Sequence, residues 1–456
     1  MIDPPRIHSI NRSLDTTDLL RGRNYSFDDS GLCAVLDHEL DPRMADLVDI
    51  ALAAHVVDRL EPRPGANSLT AGATWDRHFV VRLGVRDLAY WREHIDSVSS
   101  LLRGLTDDDW EFDLHPFVGG RLSSEVALRL PYARTEQPDS VGLFSGGLDS
   151  LAGAIRALNA GYRPLLLSLA SNPRMAAVQR SLRKMIRRRW PQVWSASAVV
   201  NLSGREAREA SQRARALLFL TTAGVVAASS GLDRVEVYEN GIGAISLPYV
   251  ASQEGAHTTK AVHPDTLRSV SAVVSVIAQR RITYANPSIW QTKAELCRTL
   301  EKDDWHLVPE SESCDTAFSY RGAGVSRCGT CTSCLLRRQA LWAAGLGQID
   351  QRQQVRLDLL SGSHLDTSAS DDLHRMLDQA AHIAEALSQP RPWAALTARF
   401  PELLQIVHSD VEERACIAMY AQYISDWLAF PSELVRRYLH PLRSAGGRPW
   451  EVAQLV

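Results

Sequence analysis

Residues 141–150 have the sequence VGLFSGGLDS. The apolar run at the start is too short for a helix, whereas residues 151–158 (LAGAIRAL) repeat apolar side chains at helical spacing. Two glycines, Gly146 and Gly147, separate the two patterns. The stretch therefore predicts a strand, a tight loop and a helix.

The predicted loop has the features of a phosphate site. Glycine adopts positive φ and lets a ligand approach the backbone, while the following helix presents unpaired N–H groups and the positive end of its dipole. A Walker A loop would carry a lysine, which is absent here. The alternative is an ordinary glycine turn with a serine or aspartate helix cap. We predict that a phosphate-bearing cofactor is bound by Phe144, Ser145, Gly146, Gly147, Leu148, Asp149, Ser150 and, from the next strand, Ser168.

Composition sets broad limits on the class of protein. The 456 residues carry a formal net charge of -3, with 45% hydrophobic and 23% charged residues, which is ordinary for a globular protein of about two to four domains. The balance excludes a global field that attracts nucleic acid or an anionic membrane. Because we find neither a signal peptide nor a bilayer-spanning apolar run, we expect a cytoplasmic protein.

The N-terminal part, residues 1–137, does not share the pattern of the centre. Helical spacing is found at residues 46–60, and strand-like patterns at 78–83, 110–114 and 126–130. We predict a small α+β domain whose scattered histidines form no catalytic group. We expect this domain to interact with a partner or to gate the entry of substrate.

Residues 138–346 alternate between strand and helix patterns. The predicted strands are 163–170, 196–202, 234–240 and 282–284, and the predicted helices are 173–190, 205–230, 264–279 and 290–300. Such alternation predicts an α/β fold with a parallel, Rossmann-like sheet covered on both faces. Because ligands bind beyond the carboxyl ends of parallel strands, we expect the 145–150 loop, Ser168 and the turn at 239–241 to surround one cleft.

Four cysteines follow this alternation: Cys314, Cys328, Cys331 and Cys334. Their C-x13-C-x2-C-x2-C spacing is typical of a compact knuckle that holds a structural zinc ion, since four thiolates satisfy its tetrahedral coordination. An iron–sulfur cluster or unrelated free thiols are the alternatives.

Two cations between these motifs are candidates for binding phosphate. Arg215 precedes an apolar helical stretch, and Lys293 lies in the sequence TKAE at 292–295. Either could neutralise a phosphate-bearing ligand, although for either taken alone a solvated helix charge is the favoured interpretation. Cations at 180, 183, 184, 187 and 188 recur at helical spacing, which favours a solvated face over an RNA contact.

Residues 347–456 have helical patterns at 371–387, 393–407, 411–427 and 432–442, punctuated by prolines. They carry no chemical motif. We expect a helical appendage that buttresses the core or presents a surface to a partner.

Taken together, the motifs resemble a known family. The sequence SGGLDS resembles the S-G-G-x-D-S signature of the PP-loop (N-type) ATP pyrophosphatases, whose sheet is of the Rossmann-like (HUP) kind. With Arg215, the TKAE sequence and the four cysteines, residues 138–345 resemble the 7-cyano-7-deazaguanine synthase family, QueC. The resemblance implies a zinc-containing enzyme that uses ATP and Mg²⁺ to adenylate 7-carboxy-7-deazaguanine. In that family ammonia then gives an amide, and a second activation gives the nitrile preQ0.

Three features differ from that family. The chain is about twice the usual length, Cys314 and Cys328 are further apart, and residues 241–248 (GIGAISLP) replace the usual substrate-binding stretch. The long form is more similar to QueC-like proteins of bacterial anti-phage defence, of the QatC type and its CBASS-associated relatives. That resemblance implies a different nucleophile, the amino terminus of a partner protein.

These observations lead to a set of expected roles. Backbone N–H groups and the hydroxyls of Ser145 and Ser150 would hold pyrophosphate, and Asp149 would bind Mg²⁺. Arg215 and Lys293 complete the expected catalytic set, and the zinc ion would be structural. We predict an ATP-dependent C–N ligase that takes ATP, a deazaguanine and a partner protein; preQ0 synthesis, a nucleotide-binding scaffold and a tRNA-modifying PP-loop enzyme are the alternatives.

Overall fold

The computed structural model describes most of the chain. The described residues are 25–36, 38–63, 76–126, 137–202, 209, 212–249, 260–315, 327–351, 355–356 and 370–439, with the strand backbones at 6–10 and 18–19. Parts of three predicted elements lie outside them: residues 127–130, the beginning of the predicted helix 205–230, and residues 440–442 of the predicted helix 432–442.

The strands are β1 (Arg6–Ile10), β2 (Asp18–Leu19), β3 (Tyr25–Asp28), β4 (His78–Val85), β5 (Asp109–Pro116), β6 (Ser140–Leu143), β7 (Pro164–Ala170), β8 (Ser195–Leu202), β9 (Arg234–Val237) and β10 (Thr283–Ala285). The helices are α1 (Pro42–Leu60), α2 (Leu88–Thr106), α3 (Ser123–Val126), α4 (Leu148–Asn159), α5 (Pro173–Arg189), α6 (Arg215–Ser229), α7 (Gly241–Ile245), α8 (Pro264–Ala278), α9 (Lys293–Arg298), α10 (Thr332–Ala343), α11 (Gly347–Gln351), α12 (Asp371–Leu387), α13 (Pro392–Arg399), α14 (Asp410–Ala429) and α15 (Glu433–Leu439).

A six-stranded sheet in the order β10-β9-β6-β7-β8-β3 forms the centre of the molecule. Strands β6 to β10 are parallel, as predicted, and β3 is antiparallel at one edge. The chain moves outward from β6 to β7 and β8 and then returns to β9 on the other side of β6. This reversal makes the gap between β6 and β9 the topological switch point, where ligands bind in open α/β sheets.

The N-terminal part forms a second, four-stranded sheet in the order β2-β1-β4-β5, with parallel neighbours. Helix α1 is buried almost all round because it packs against both β4 and α6. Its buried carboxylates are paired: Asp58 contacts Arg77, and Asp46 and Asp49 contact Arg86. Since β3 also pairs with β8, the N-terminal part and the central sheet share one apolar core.

Helices α12 to α15 form a separate apolar core that includes Met376 and Trp427 and continues into Ile242 and Ile245 of α7. The predicted helix 393–407 is wrong in one respect, because α13 ends at Arg399 and a 3-10 turn begins at Pro401. Proline disfavours a helical residue before it, and Phe400 accordingly lies outside the helical region, with φ -131° and ψ 76°. Within the described residues, no helix is both long and apolar enough to cross a membrane.

Candidate nucleotide site and metal centre

The glycine loop (residues 144–150) joins β6 to α4 at the switch point. Gly146 has φ +84°, a conformation that other residues rarely adopt, and Gly147 is the extended N-cap of α4. Neighbouring segments fix the loop. Gln179 Nε2 donates to the carbonyl of Ser145 (3.0 Å), and the N–H of Glu312 donates to the carbonyl of Gly146 (2.9 Å).

Hydroxyl groups accept long hydrogen bonds from two N–H groups of this loop. Gly147 donates to Ser145 Oγ at 3.2 Å, and Leu148 donates to Ser313 Oγ at 3.4 Å. Among the described residues, the N–H groups of Gly146 and Asp149 have no acceptor. Hydrogen bonds of this length are weak, so an anion could replace them and also bind the free N–H groups.

The remaining predicted loop residues differ in what they can offer. Ser145 Oγ and Ser150 Oγ lie 3.1 Å apart, and Ser150 Oγ also donates to the carbonyl of Gly147. The side chains of Phe144 and Leu148 are buried in the core between α4 and the sheet. Only their backbone could contact a ligand.

Asp149 is the centre of a charged cluster across the switch point. Its Oδ1 accepts a hydrogen bond from Asn240 Nδ2 (3.0 Å), and its Oδ2 contacts Lys293 Nζ. Asn240 follows β9 and also donates to Glu239 Oε1 (2.7 Å). Lys293 and Asp149 are 7% and 9% exposed, so the structure brings two of the predicted catalytic residues together in a buried ion pair.

The cluster contains two carboxyl groups and one ammonium group. Burial and the charge of Asp149 raise the pKa of Glu239 to about 8. Burial acts to lower the pKa of Lys293, but Asp149 and Glu239 outweigh it and raise that pKa. Lys293 is therefore held as a cation beside an excess of acidic groups.

Lys293 owes its position to the start of α9. Thr292 is the N-cap, and its hydroxyl accepts from the N–H of Glu295 (3.2 Å) while Glu295 Oε2 accepts from the N–H of Thr292 (2.8 Å). This capping box fixes the first turn of the helix, whose first residue is Lys293.

Ser168 and Arg215 have different surroundings. Ser168 is fully buried on β7, and its Oγ has no hydrogen-bond partner among the described residues.

Arg215 begins α6, with its guanidinium 5.4 Å from the ring centre of Phe219. Burial, reinforced by the nearby charge of Arg59, lowers the pKa of Arg215 to about 10, and the charge of Asp315 acts in the opposite direction. Arg215 thus lies close enough to Asp315, the neighbour of Cys314, for their charges to interact.

The four predicted metal ligands come together. The sulfur atoms of Cys314, Cys328, Cys331 and Cys334 all lie within 4.8 Å of one another. The Sγ atoms of Cys328 and Cys334 are 3.8 Å apart, which equals the sulfur separation of about 3.8 Å expected for tetrahedral Zn–S bonds of about 2.3 Å. Backbone N–H groups of Cys328, Thr330 and Cys331 point at these sulfurs over 3.3–3.4 Å. The cluster can therefore hold a zinc ion.

Residues 312–314 connect the cysteine cluster to the glycine loop. Glu312 binds Gly146 through its N–H, Ser313 accepts from Leu148, and the next residue is Cys314. The carboxylate of Glu312 also accepts from the N–H of Cys314 (2.9 Å) and contacts Arg174. The sequence did not identify Glu312, Ser313, Glu239 or Asn240 as site residues; only the turn at 239–241 was expected at the cleft.

The fold and the site define a class of α/β enzyme. It carries a glycine loop suited to a nucleotide at the switch point of the sheet, together with a four-cysteine metal knuckle. Residues 197–345 match the family model of queuosine biosynthesis protein QueC. The match covers less than half of the chain; it includes α6, β9, Lys293 and the cysteines but not the glycine loop. It supports a QueC-like, ATP-dependent PP-loop enzyme. No curated protein matches the chain.

Proposed function

We propose that this chain is an ATP-dependent C–N ligase that activates the carboxylate of 7-carboxy-7-deazaguanine and transfers the acyl group to the amino terminus of a partner protein. The main support is the Asp149–Lys293 pair. It joins the glycine loop, which is outside the family match, to a lysine inside it. The two sequence signals therefore belong to one site.

The proposed first step is adenylation. A carboxylate oxygen of the substrate attacks the α-phosphorus of ATP, and the bond to the β-phosphate oxygen breaks to release pyrophosphate. Negative charge grows on the leaving group, where the N–H groups of Gly146 and Asp149 and the hydroxyls of Ser145 and Ser150 could donate hydrogen bonds. The ammonium group of Lys293 would exchange its contact with Asp149 for one with the phosphates. The exchange is possible because both are anionic partners. Arg215 remains a proposed second cation on the side of Cys314.

The second step forms the amide. A neutral amine attacks the acyl carbon of the mixed anhydride, the bond to AMP breaks, and the amine loses a proton. We propose a partner protein as the amine donor, with a role in anti-phage defence. This proposal relies on the similarity to the long QueC-like proteins and on the N-terminal and C-terminal parts, which a protein-sized acceptor could contact. We propose three regions for these roles, residues 1–137, 138–346 and 347–456, of which the first shares its apolar core with the second.

Mg²⁺ belongs to this proposal as the ion that accompanies ATP. Asp149 and Glu239 offer the carboxylate oxygens that Mg²⁺ prefers, and the ion would neutralise charge on the phosphates. Asp149 already contacts Asn240 and Lys293 through its two oxygens, so Mg²⁺ would compete with the ammonium group of Lys293 for Oδ2. The cysteine cluster would have a structural role, because four thiolates leave a zinc ion no open position.

The test uses the full chain with ATP and 7-carboxy-7-deazaguanine, with AMP and pyrophosphate measured. We expect release of both that depends on the deazaguanine, and much slower release by Ser145→Ala. A co-purified partner should gain the mass of the acyl group on its amino terminus. Binding of ATP without cleavage would instead identify a nucleotide-binding scaffold.

The description of the matched family, queuosine biosynthesis, favours a second candidate. By the resemblance of the sequence motifs, this candidate is preQ0 synthesis with ammonia as the nucleophile. The same assay with ammonium separates the two. Efficient formation of the nitrile by the chain alone would support the biosynthetic function and contradict the transfer to a protein.

A further inference from the structure

The C-terminal helices contact the segment that carries Lys293. The hydroxyl of Thr292 donates to Oδ2 of Asp426, on α14, over 2.7 Å. Asp426 is 1% exposed. A buried carboxylate needs several donors to offset the loss of its hydrating water. This contact therefore belongs to a buried hydrogen-bond network around Asp426 and is not a surface contact.

The other oxygen of Asp426 is also occupied. Arg298 Nη2 donates to Oδ1 over 2.9 Å, and Gln422 Nε2 donates to the same atom over 2.8 Å. Arg298 ends α9, whereas Thr292 caps its start. One carboxylate therefore holds both ends of the short helix that begins with Lys293.

A second contact brings α14 against the other partner of Asp149. A Cβ atom added to Gly241 would lie 2.2 Å from Met419 Sδ and 2.1 Å from the carbonyl oxygen of Ile289. The N–H of Gly241, which follows Asn240, donates to the carbonyl of Gln291 over 2.8 Å. Helix α14 thus packs on the turn that carries Asn240 as well as on the segment that carries Lys293.

From these contacts we infer that Asp426 is a positioning residue for Lys293, acting through Thr292. The inference rests on the proposed function, in which Lys293 must move between Asp149 and the phosphates from a fixed backbone. The C-terminal helices are then part of the catalytic apparatus of this chain. Because a displacement of about 1 Å can lower a rate by about 100-fold, loss of the Asp426 contact should act mainly on kcat.

The variant that tests this is Asp426→Asn, which keeps the shape of the side chain but removes its charge. We expect kcat for AMP release to fall by about tenfold or more, with the KM for ATP changed less than about twofold. Thr292→Val also removes the N-cap acceptor of α9, so it should slow the reaction at least as much. The double variant should be little slower than Thr292→Val alone, since the contact with Asp426 is then already lost. Ile424→Val, a buried apolar substitution on the same helix, is the matched control.

A second readout does not depend on activity. Lys293 should react slowly with an amine-directed acylating reagent, because it is 6% exposed and paired. We expect its labelling, measured by peptide mass spectrometry, to rise several-fold in Asp426→Asn but not in Ile424→Val. The labelling of Lys293 can also be measured in a variant that is less stable than the wild type.

The outcomes separate the two proposals. Wild-type kcat together with unchanged labelling in Asp426→Asn would overturn the positioning role and leave the proposed function intact. Increased labelling in a chain whose wild type releases no AMP would support the positioning of Lys293 and contradict the ligase function. Equal effects of Asp426→Asn and Ile424→Val on kcat and labelling would also overturn the inference, because they would indicate a general loss of packing.

Discussion

The contact between Lys293 and Asp149 joins side chains that lie 144 positions apart in the sequence. Each was predicted as a site residue from its own motif, but the predicted partner of Asp149 was Mg²⁺. Spacing along the chain could not show that a lysine occupies one of its oxygens. The residue types were therefore predictable, whereas their pairing depends on the packing of α9 against α4, for which the sequence offers no local signal.

Replacing Lys293 by methionine tests the value of this pair. Asp149 would remain buried without its cation, which should destabilise the fold by about 3 kcal/mol. Release of AMP should fall by at least about 100-fold, because the proposed charge on the leaving group loses its partner. Thermal unfolding and an AMP assay measure the two effects. Lys302→Met, at an exposed position, should change neither.

The raised pKa of Glu239 predicts a pH dependence of stability. Its folded pKa is about 8, well above the value of about 4.3 for an unfolded chain. The protonated side chain therefore contributes stability that is present below about pH 4 and is lost as the pH rises through the folded pKa. Asp149 and Lys293 face the same group.

Glu239→Gln removes this ionisation. We expect the Tm of the variant to rise relative to wild type between pH 5 and pH 8, because unfolding of the wild type then releases the proton of Glu239 and becomes more favourable as the pH rises. Glu310→Gln, at an exposed position, is the control and should follow the wild type. A difference that is constant with pH would contradict the assignment of the shift to Glu239.

The loop and the knuckle are the elements that the sequence predicted best, because each is specified by adjacent residues. Helix α2 is absent from the predicted elements although Trp91, Val98 and Leu102 repeat on its buried face. The beginning of α9 was predicted three residues early, since periodicity does not show that Thr292 is the cap. Element type was thus easier to predict than the ends of elements, which depend on single hydrogen bonds.

Gly146→Ala tests the geometry of the glycine loop. Its φ of +84° and the contacts of 3.2 Å that a new Cβ would make with Gln179 and Val178 are both unfavourable. Gly161→Ala is a matched control, because Gly161 has φ +83° and open space around it. Each should lose about 1–2 kcal/mol of stability from backbone strain. Only Gly146→Ala should also weaken ATP binding, measured by calorimetry; equal ATP affinity in the two would contradict a nucleotide site at this loop.

Removing the metal tests the link through residues 312–314. A zinc chelator, or Cys328→Ser, should free these residues and with them Gly146 and Leu148. We expect lower thermal stability and weaker ATP binding, together with loss of one zinc ion per chain in elemental analysis. Cys33→Ser, outside the cluster, is the control and should keep its zinc. Full ATP affinity in the zinc-free chain would contradict the coupling between the two elements.

At the scale of the whole molecule, the sequence predicted the central sheet but not how the flanking parts meet it. The antiparallel contact of β3 with β8 and the burial of α1 against α6 depend on pairings between distant residues. The C-terminal helices carry no chemical motif, yet Asp426 reaches Thr292. Such roles arise from packing between parts of the chain, for which a single sequence offers no local signal.

The distribution of charge over the surface gives the last prediction. Helix α5 presents Arg180, Lys184 and Arg188 to solvent, while the chain as a whole has a formal net charge of -3. If this face is merely solvated, replacing all three by glutamate should leave release of AMP from ATP and the deazaguanine unchanged. A tRNA-modifying enzyme would instead lose RNA binding in that variant, and its wild-type affinity would fall steeply with salt as phosphate contacts release counterions. Filter binding with tRNA at two salt concentrations, alongside the AMP assay, distinguishes these outcomes, and steep salt-dependent binding would contradict the ligase proposal in favour of RNA modification.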